Sequence, residues 1–402
     1  MPDSSDFLID TKLAHLGRPA IHGRGVINMP PQRGSTVLFD SLAELDRATA
    51  RKNMPSELYY GAVGTQTTHA FEEAMAELEG GYAGVAVGTG LAACAIAIHA
   101  FVRQGDHVLV TDSVYDPTRN FCDTILAAMG VETTYFNPTI GEGIAELIRP
   151  NTRVVYLESP GTYTFEVQDV PAICRIAHEH GAIVALDNTW ATPLYFRALE
   201  HGVDVAVYAA TKYVVGHSDV LAGVLVTTEA AYLPVRNLTY TLGHCLSPDD
   251  AYLCLRGLRT MKLRLEHQQR SALTIAQWLQ AQPDVLRVLY PALSDDPGHV
   301  LWKRDFHGAA SLFAFLLPAS PHLALAALID DMELFGLGYS WGGFTSLIEP
   351  VALSKLSKKR AAAPWDAAQG SLIRLHIGLE DVADLQRDLA AGLDRWRRAV
   401  AR

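Results

Sequence analysis

The 402-residue chain predicts an α/β fold: a large domain on a mostly parallel sheet, then a smaller α+β unit. Three observations carry this. Short apolar runs alternate with helical patterns between residues 67 and 227. Several of the runs are continuous rather than alternating, as in strands covered on both faces. Charged residues close two of them, where open α/β sheets bind their ligands.

Residues 1 to 60 lack strong periodicity and contain Pro30-Pro31. They read as an extended arm with one short helix, Ser41 to Arg51. Phe71, Ala74, Met75 and Leu78 stand at helical spacing and predict a helix from Thr67 to Glu79. Val85-Ala86-Val87 then reads as a strand, Leu91 to Val102 as a helix, and His107 to Thr111 as a strand. A helix over Phe121 to Met129 ends at Gly130. Val131 to Phe136 and Arg153 to Leu157 are strands. Pro171 to His180 is a helix, with Pro171 near its start and Gly181 past its end. Ala182 to Leu186, Val203 to Tyr208 and Gly223 to Thr227 complete the first set. After a boundary near residues 250–265, a helical stretch runs to about Leu279. Val285 to Tyr290, Ser311 to Leu317, Gly336 to Trp341 and Leu372 to Ile377 read as strands, with helices between and after them.

Composition narrows the function. Half the residues are apolar and 19% are charged, so a real core forms. The net charge of −11 argues against general nucleic-acid binding. Five scattered cysteines, none in a C-x-x-C pair, fit a reduced cytoplasmic compartment. The polar start, Met1 to Asp6, is neither a signal nor a transit peptide. Between Glu79 and Arg103 no charged residue occurs, a length that can span a bilayer. Its glycines at 80, 81, 84, 88 and 90 divide it into a strand and a helix, so it reads as a buried unit and not a membrane span.

Two segments carry the chemistry. In Ala185-Leu186-Asp187-Asn188-Thr189-Trp190, Asp187 ends an apolar run; in Ala209-Ala210-Thr211-Lys212-Tyr213, Lys212 ends another. Both fall at carboxyl ends of strands, as does Asp112. A pyridoxal-phosphate (PLP) enzyme needs such a pair: a lysine to bond the aldehyde, and an aspartate to keep the ring nitrogen protonated so that the ring accepts electrons. A lone lysine at a strand end is more often a surface residue. Thr211, able to reach a phosphate, and Asp187 shift that balance. Gly88-Thr89-Gly90-Leu91-Ala92-Ala93 follows a strand and opens a helix, which suits an anion. It also matches G-x-G-x-x-A with Asp112 some 20 residues on, the dinucleotide fingerprint. A nicotinamide oxidoreductase is the rival reading, but it leaves Asp187 and Lys212 without roles. Tyr115 offers a ring to stack on a flat cofactor. Arg374, inside the strand Leu372 to Ile377, offers a planar fork for a carboxylate; the alternative is a structural ion pair. His178-Glu179-His180 is not a metal pair, because i and i+2 do not share a helix face. Gly216-His217-Ser218-Asp219-Val220 lacks the second glycine of a nucleophile elbow.

With these residues in place, the chain resembles the Cys/Met-metabolism family of PLP enzymes nearly end to end, from Asp10-Thr11-Lys12-Leu13 to the last helix. The most specific stretches are Ala209 to Asp219, Arg256-Gly257-Leu258-Arg259-Thr260, Tyr339-Ser340-Trp341-Gly342-Gly343 and Arg374 to Asp381. Trp341 resembles the β-lyase branch rather than the γ-lyase or γ-synthase branches. The resemblance implies a PLP-dependent transferase fold of type I (aminotransferase-like), usually in a homotetramer of two catalytic dimers. It implies an arm over residues 1–60 contributing to the neighbouring subunit, a PLP-binding domain over 61–255 and a C-terminal domain over 256–402. It assigns roles by position. Lys212 bonds the cofactor and moves the proton, Asp187 pairs with the ring nitrogen, and Tyr115 stacks. Gly90, Leu91 and Thr211 hold the phosphate. Arg374 binds the substrate carboxylate beside Ser340 and Trp341, and Tyr240 and Tyr60 line the site, Tyr60 from the neighbour. The implied reaction is β-elimination at the carbon–sulfur bond of a sulfur amino acid, cystathionine first, with cysteine, cystine or S-substituted cysteines as alternatives and γ-elimination behind them. One position departs from the pattern. Where the family's Tyr-Gly is followed by an arginine that reaches the partner subunit's cofactor phosphate, this chain reads Tyr60-Gly61-Ala62.

Overall fold

The computed structural model describes residues 7–19, 25–353, 356, 360 and 370–401; the Met1–Asp6 reading lies outside them. Seven strands build the larger sheet: β1 (Ala83–Val87), β2 (His107–Thr111), β3 (Glu132–Phe136), β4 (Thr152–Glu158), β5 (Ile183–Asp187), β6 (Val205–Tyr208) and β7 (Gly223–Thr227). Their order is β1-β7-β6-β5-β4-β2-β3. Strands β3, β2, β4, β5 and β6 pair in parallel, while β7 runs antiparallel to both β1 and β6. The reason lies in the connection. Parallel neighbours need a crossover, usually helical, and no helix stands between β6 and β7. The chain turns back through the segment that holds Lys212.

Five strands form the second sheet, β8 (Arg287–Leu289), β9 (Leu312–Leu317), β10 (Gly336–Leu337), β11 (Leu347–Val351) and β12 (Ser371–His376), in the order β10-β11-β12-β9-β8. Strand residues alternate between faces. In the larger sheet Val155, Leu157, Val184 and Leu186 enter one core, while Val154, Tyr156, Ala185 and Val207 enter another. The first core continues without a break to Phe313, Phe315 and Leu375 of the second sheet. Trp190 ties the two sheets directly, its indole N–H donating to Leu312 O at 2.9 Å.

The helices follow the predicted signals closely. The arm holds α1 (Ile9–His15), which has no counterpart in the sequence reading, and α2 (Leu42–Arg51), capped by Ser41. Then come α3 (Gln66–Glu79), α4 (Gly90–His99), α5 (Asp116–Phe121) and α6 (Val170–Glu179). Three readings need correction. The helix expected from Phe121 begins at Asp116, because Pro117 starts it, and it widens over Cys122–Leu126. The strand expected over Gly336 to Trp341 stops at Leu337, because Ser340 and Gly342 turn the chain at positive φ. Strand β11 was not expected, because Pro350 interrupts its apolar pattern. No helix among the described residues is long and apolar enough to cross a membrane.

Candidate active site

A cavity of about 240 Å³ opens where β4, β5 and β6 end, and Lys212, Asp187, Tyr115 and Arg374 all line it. The turn after β6 presents the lysine. Lys212 N–H donates to Ala209 O at 3.0 Å, and Lys212 O accepts from Gly216 N–H at 2.8 Å. Buried Arg264 braces the turn from behind, donating to the carbonyls of Tyr213, Val214 and Gly257 at 2.8, 3.3 and 2.9 Å. The Arg256–Thr260 motif is thereby tied to the lysine it never touches.

The Lys212 amine donates to Ser340 Oγ at 2.5 Å and lies 5.2 Å from the centroid of the Trp341 ring. Burial and the nearby Arg374 charge lower its pKa to about 8, with Asp187 opposing them in part. About a tenth of such amines are neutral at pH 7, against fewer than about one in a thousand for an ordinary lysine. The amine is therefore suited to accept a proton.

Asp187 closes β5. Its Oδ1 accepts from the Thr189 N–H at 3.0 Å and the Thr189 hydroxyl at 2.5 Å, while Oδ2 stands 3.5 Å from the Cys94 thiol. Burial raises its pKa, and these donors oppose the rise. Beside it in the parallel register is Glu158, the last residue of β4. Burial and then the Asp187 charge raise the Glu158 pKa. Two buried carboxyls this close do not both ionise readily, and a cation placed at Asp187 would settle which one does. Glu158 also accepts from the Tyr115 N–H at 2.7 Å and from the Thr162 hydroxyl, so it fixes the loop that carries the Tyr115 ring.

Opposite these groups α4 begins. Thr89 caps it through Ala92 N–H at 3.1 Å, and the N–H groups of Gly90 and Leu91 belong to the first turn, where no intrahelical acceptor exists. Gly90 lies so near Ala209 that an added Cβ would come within 2.5 Å of the Ala209 methyl. Only glycine lets the helix start this close to the lysine turn. Thr211 sits at the same end of the cavity, its hydroxyl joined to Ala222 N–H at 2.9 Å.

The second sheet closes the site. The loop Ser340–Gly343 has φ of 86° at Ser340 and 85° at Gly342. A Cβ on Gly342 would fall 2.8 Å from the Lys212 carbonyl carbon. His376 of β12 holds this loop, its Nε2 lying 3.2 Å from Gly342 N and 3.1 Å from Gly343 O. Burial lowers the His376 pKa to about 3, so the ring is a neutral brace. Arg374, two residues earlier, donates to Ser340 O at 3.3 Å.

One cavity thus joins Gly90, Leu91, Tyr115, Asp187, Thr211, Lys212, Trp341 and Arg374, with Ser340 bonded to the amine. Tyr60 and Tyr240 are not there. They line a separate groove with Leu38, Leu42 and Leu45 of the arm. Asp112 is buried in an ion pair with Arg119 at 2.5 Å and does not line the cavity, which removes the acidic partner from the dinucleotide reading. Sequence reasoning missed Cys94, Glu158 and Tyr163 on the cavity wall. Glu158 was findable, since it ends an apolar strand as Asp187 does. Cys94 stands four residues after Gly90, on the same face of α4. Tyr163 had no signal. Among the described residues, no group of three His, Cys, Asp or Glu is placed to hold a metal ion.

The donor set fits PLP. A first helical turn and Thr211 suit its phosphate, a buried carboxylate with one oxygen met, among the described residues, by a weak thiol donor suits a protonated ring nitrogen, and a buried amine suits its aldehyde. Comparison with known proteins agrees. The family described as Cys/Met metabolism PLP-dependent enzyme matches residues 10–394. A protein of Rhizobium johnstonii named putative cystathionine beta-lyase is 49% identical over 388 residues, covering 96% of this chain and 95% of its own. The cystathionine beta-lyase MetC of Escherichia coli is 44% identical over 394 residues, covering 97% and 99%. The crystal structure of cystathionine gamma-lyase from Lactobacillus plantarum, complexed with L-serine, superposes with a TM-score of 0.87 at 28% identity, covering 97% and 100%. With that match running through every strand and both halves of the cavity, the chain belongs to the Cys/Met metabolism family of PLP-dependent enzymes.

Proposed function

We propose that this enzyme cleaves the Cβ–S bond of cystathionine, yielding homocysteine, pyruvate and ammonia with one water consumed. The observation that carries the reading is the single cavity in which a buried amine, a buried carboxylate and an arginine meet beside Trp341. The relatives named cystathionine beta-lyase MetC and putative cystathionine beta-lyase, 44% and 49% identical over nearly the whole chain, support it.

When bound, PLP supplies the electron sink for charge developing at the substrate Cα. The protein does the rest. Arg374 holds the substrate carboxylate and so orients the Cα–H bond toward Lys212. Lys212 Nζ would take the Cα proton, and Ser340 Oγ keeps it in reach. Asp187 would hold the ring nitrogen protonated. Tyr115 would offer its ring to stack on; burial raises the pKa of its phenol. Gly90, Leu91 and Thr211 would hold the phosphate.

The groove that holds Tyr60 and Tyr240 fits a homodimer contact, two such dimers making a tetramer. Leu38 is 90% and Leu42 73% exposed in the lone chain, and a second copy would cover them and bring Tyr60 to its cavity. We take the arm as 1–60, the PLP-binding domain as 61–255 and the C-terminal domain as 256–402, in a cytoplasmic enzyme. Steady-state kinetics on cystathionine, cystine, cysteine and methionine test the substrate. The highest kcat/KM is expected with cystathionine; a preference for methionine would overturn β-elimination.

Ala62 leaves the family's phosphate-binding arginine missing. Arg236, buried behind this loop, does not replace it, because it is committed to Val63 O and to Glu72, 3.4 Å away. Ala62→Arg is expected to tighten PLP about tenfold, near the worth of one charge-assisted contact. Equilibrium titration of the apoenzyme with PLP checks this; unchanged affinity would show that another group already fills the role.

A further inference from the structure

Arg374 does not meet the cavity uncommitted. Strand β12 pairs antiparallel with β11, and the residue directly across from Arg374 is Glu349. The two form an ion pair with side chains 9% and 10% exposed. Tyr163 completes the cluster, its hydroxyl donating to Glu349 Oε1 at 3.3 Å and its ring centroid lying 5.3 Å from Arg374 Cζ. Tyr163 and Arg374 line the cavity, while Glu349 stands behind them.

A carboxylate here has two physical effects. In the empty site it neutralises a buried guanidinium that would otherwise be costly to keep. In the occupied site two carboxylates share one cation. Both would draw on it in surroundings too dry to screen them well. Full amino acids have a second hold, because their amine reacts with the cofactor. A bare carboxylate has none, and the 2-oxo acid product is such a molecule.

We propose that Glu349 weakens the carboxylate subsite: by sharing Arg374 it lowers the affinity for carboxylates, a loss that leaves those lacking an α-amine, the 2-oxo acid product included, with no second hold. This rests on the reading of Arg374 as the substrate-carboxylate residue. Glu349→Gln keeps the size and an acceptor for Tyr163 but removes the charge.

The test is calorimetric titration of the holoenzyme with propionate and with pyruvate, in wild type, Glu349→Gln and Arg374→Met. Glu349→Gln is expected to bind both about tenfold tighter, and Arg374→Met at least tenfold more weakly. Pyruvate inhibition of β-elimination strengthens in parallel in Glu349→Gln. Should this variant be less stable, the rise in melting temperature with propionate, taken from each variant's own baseline, gives the same order. Unchanged or weaker binding in Glu349→Gln, with Arg374→Met weakened as expected, overturns the role of Glu349 alone. Undiminished binding in Arg374→Met overturns the subsite itself and the proposal with it.

Discussion

Lys212→Ala is expected to lose β-elimination by at least about 10⁴-fold, since both the covalent hold on the cofactor and the base at Cα depart together. Borohydride treatment followed by mass spectrometry should find the cofactor attached to the wild-type chain and absent from the variant. With both proteins free of cofactor, stability should not fall. The lysine is buried with its charged form disfavoured, as its lowered pKa records, so alanine removes a poorly solvated charge. A melting temperature equal to or above wild type would separate lost chemistry from lost folding. A variant that keeps full turnover would remove Lys212 from the mechanism.

Asp187→Ala is expected to cost about 10²–10³ in kcat, or ~3–4 kcal/mol at the transition state. The electron sink works only while the ring nitrogen is protonated, and among the described residues no other carboxylate is free to hold that proton. Glu158 is adjacent in register but already committed to Tyr115 N–H and Thr162. Asp187→Asn makes the sharper comparison. It keeps an oxygen for the two Thr189 donors, so the turn stays in place, yet it brings no charge. Rates as low as in Asp187→Ala would assign the loss to charge. Near-wild-type rates would show that the carboxylate serves only the turn.

The chemistry was legible where side chains act at strand ends. Asp187 and Lys212 interrupt apolar runs, and an apolar run ending in a charge is visible without coordinates. The glycine-containing start of α4 was legible because its spacing reports a backbone requirement; the close neighbour in the structure is Ala209, which the sequence did not point to. What stayed hidden was pairing between distant segments. Glu349 and Arg374 are 25 positions apart and meet only because β11 and β12 run antiparallel in one register. Pro350 disguised the strand that sets that register. Ser340 and Trp341 were known by resemblance, but their strand-like pattern gave no hint of a left-handed turn. The direction of β7 was invisible for a related reason: it depends on the absence of a crossover helix, which an apolar run alone does not report.

Gly342 rests on the backbone of Lys212, and His376 grips the same loop from the second sheet. That loop is a mechanical linkage. Strand β12 carries Arg374 and, through His376 and the Ser340–Gly343 loop, also bears on the turn that holds Lys212. The helix Val382–Val400 contributes Leu385, Leu389 and Leu393 to the core that backs this sheet. Those leucines lie away from the cavity yet belong to the same packed core, so the two halves of the site share one foundation.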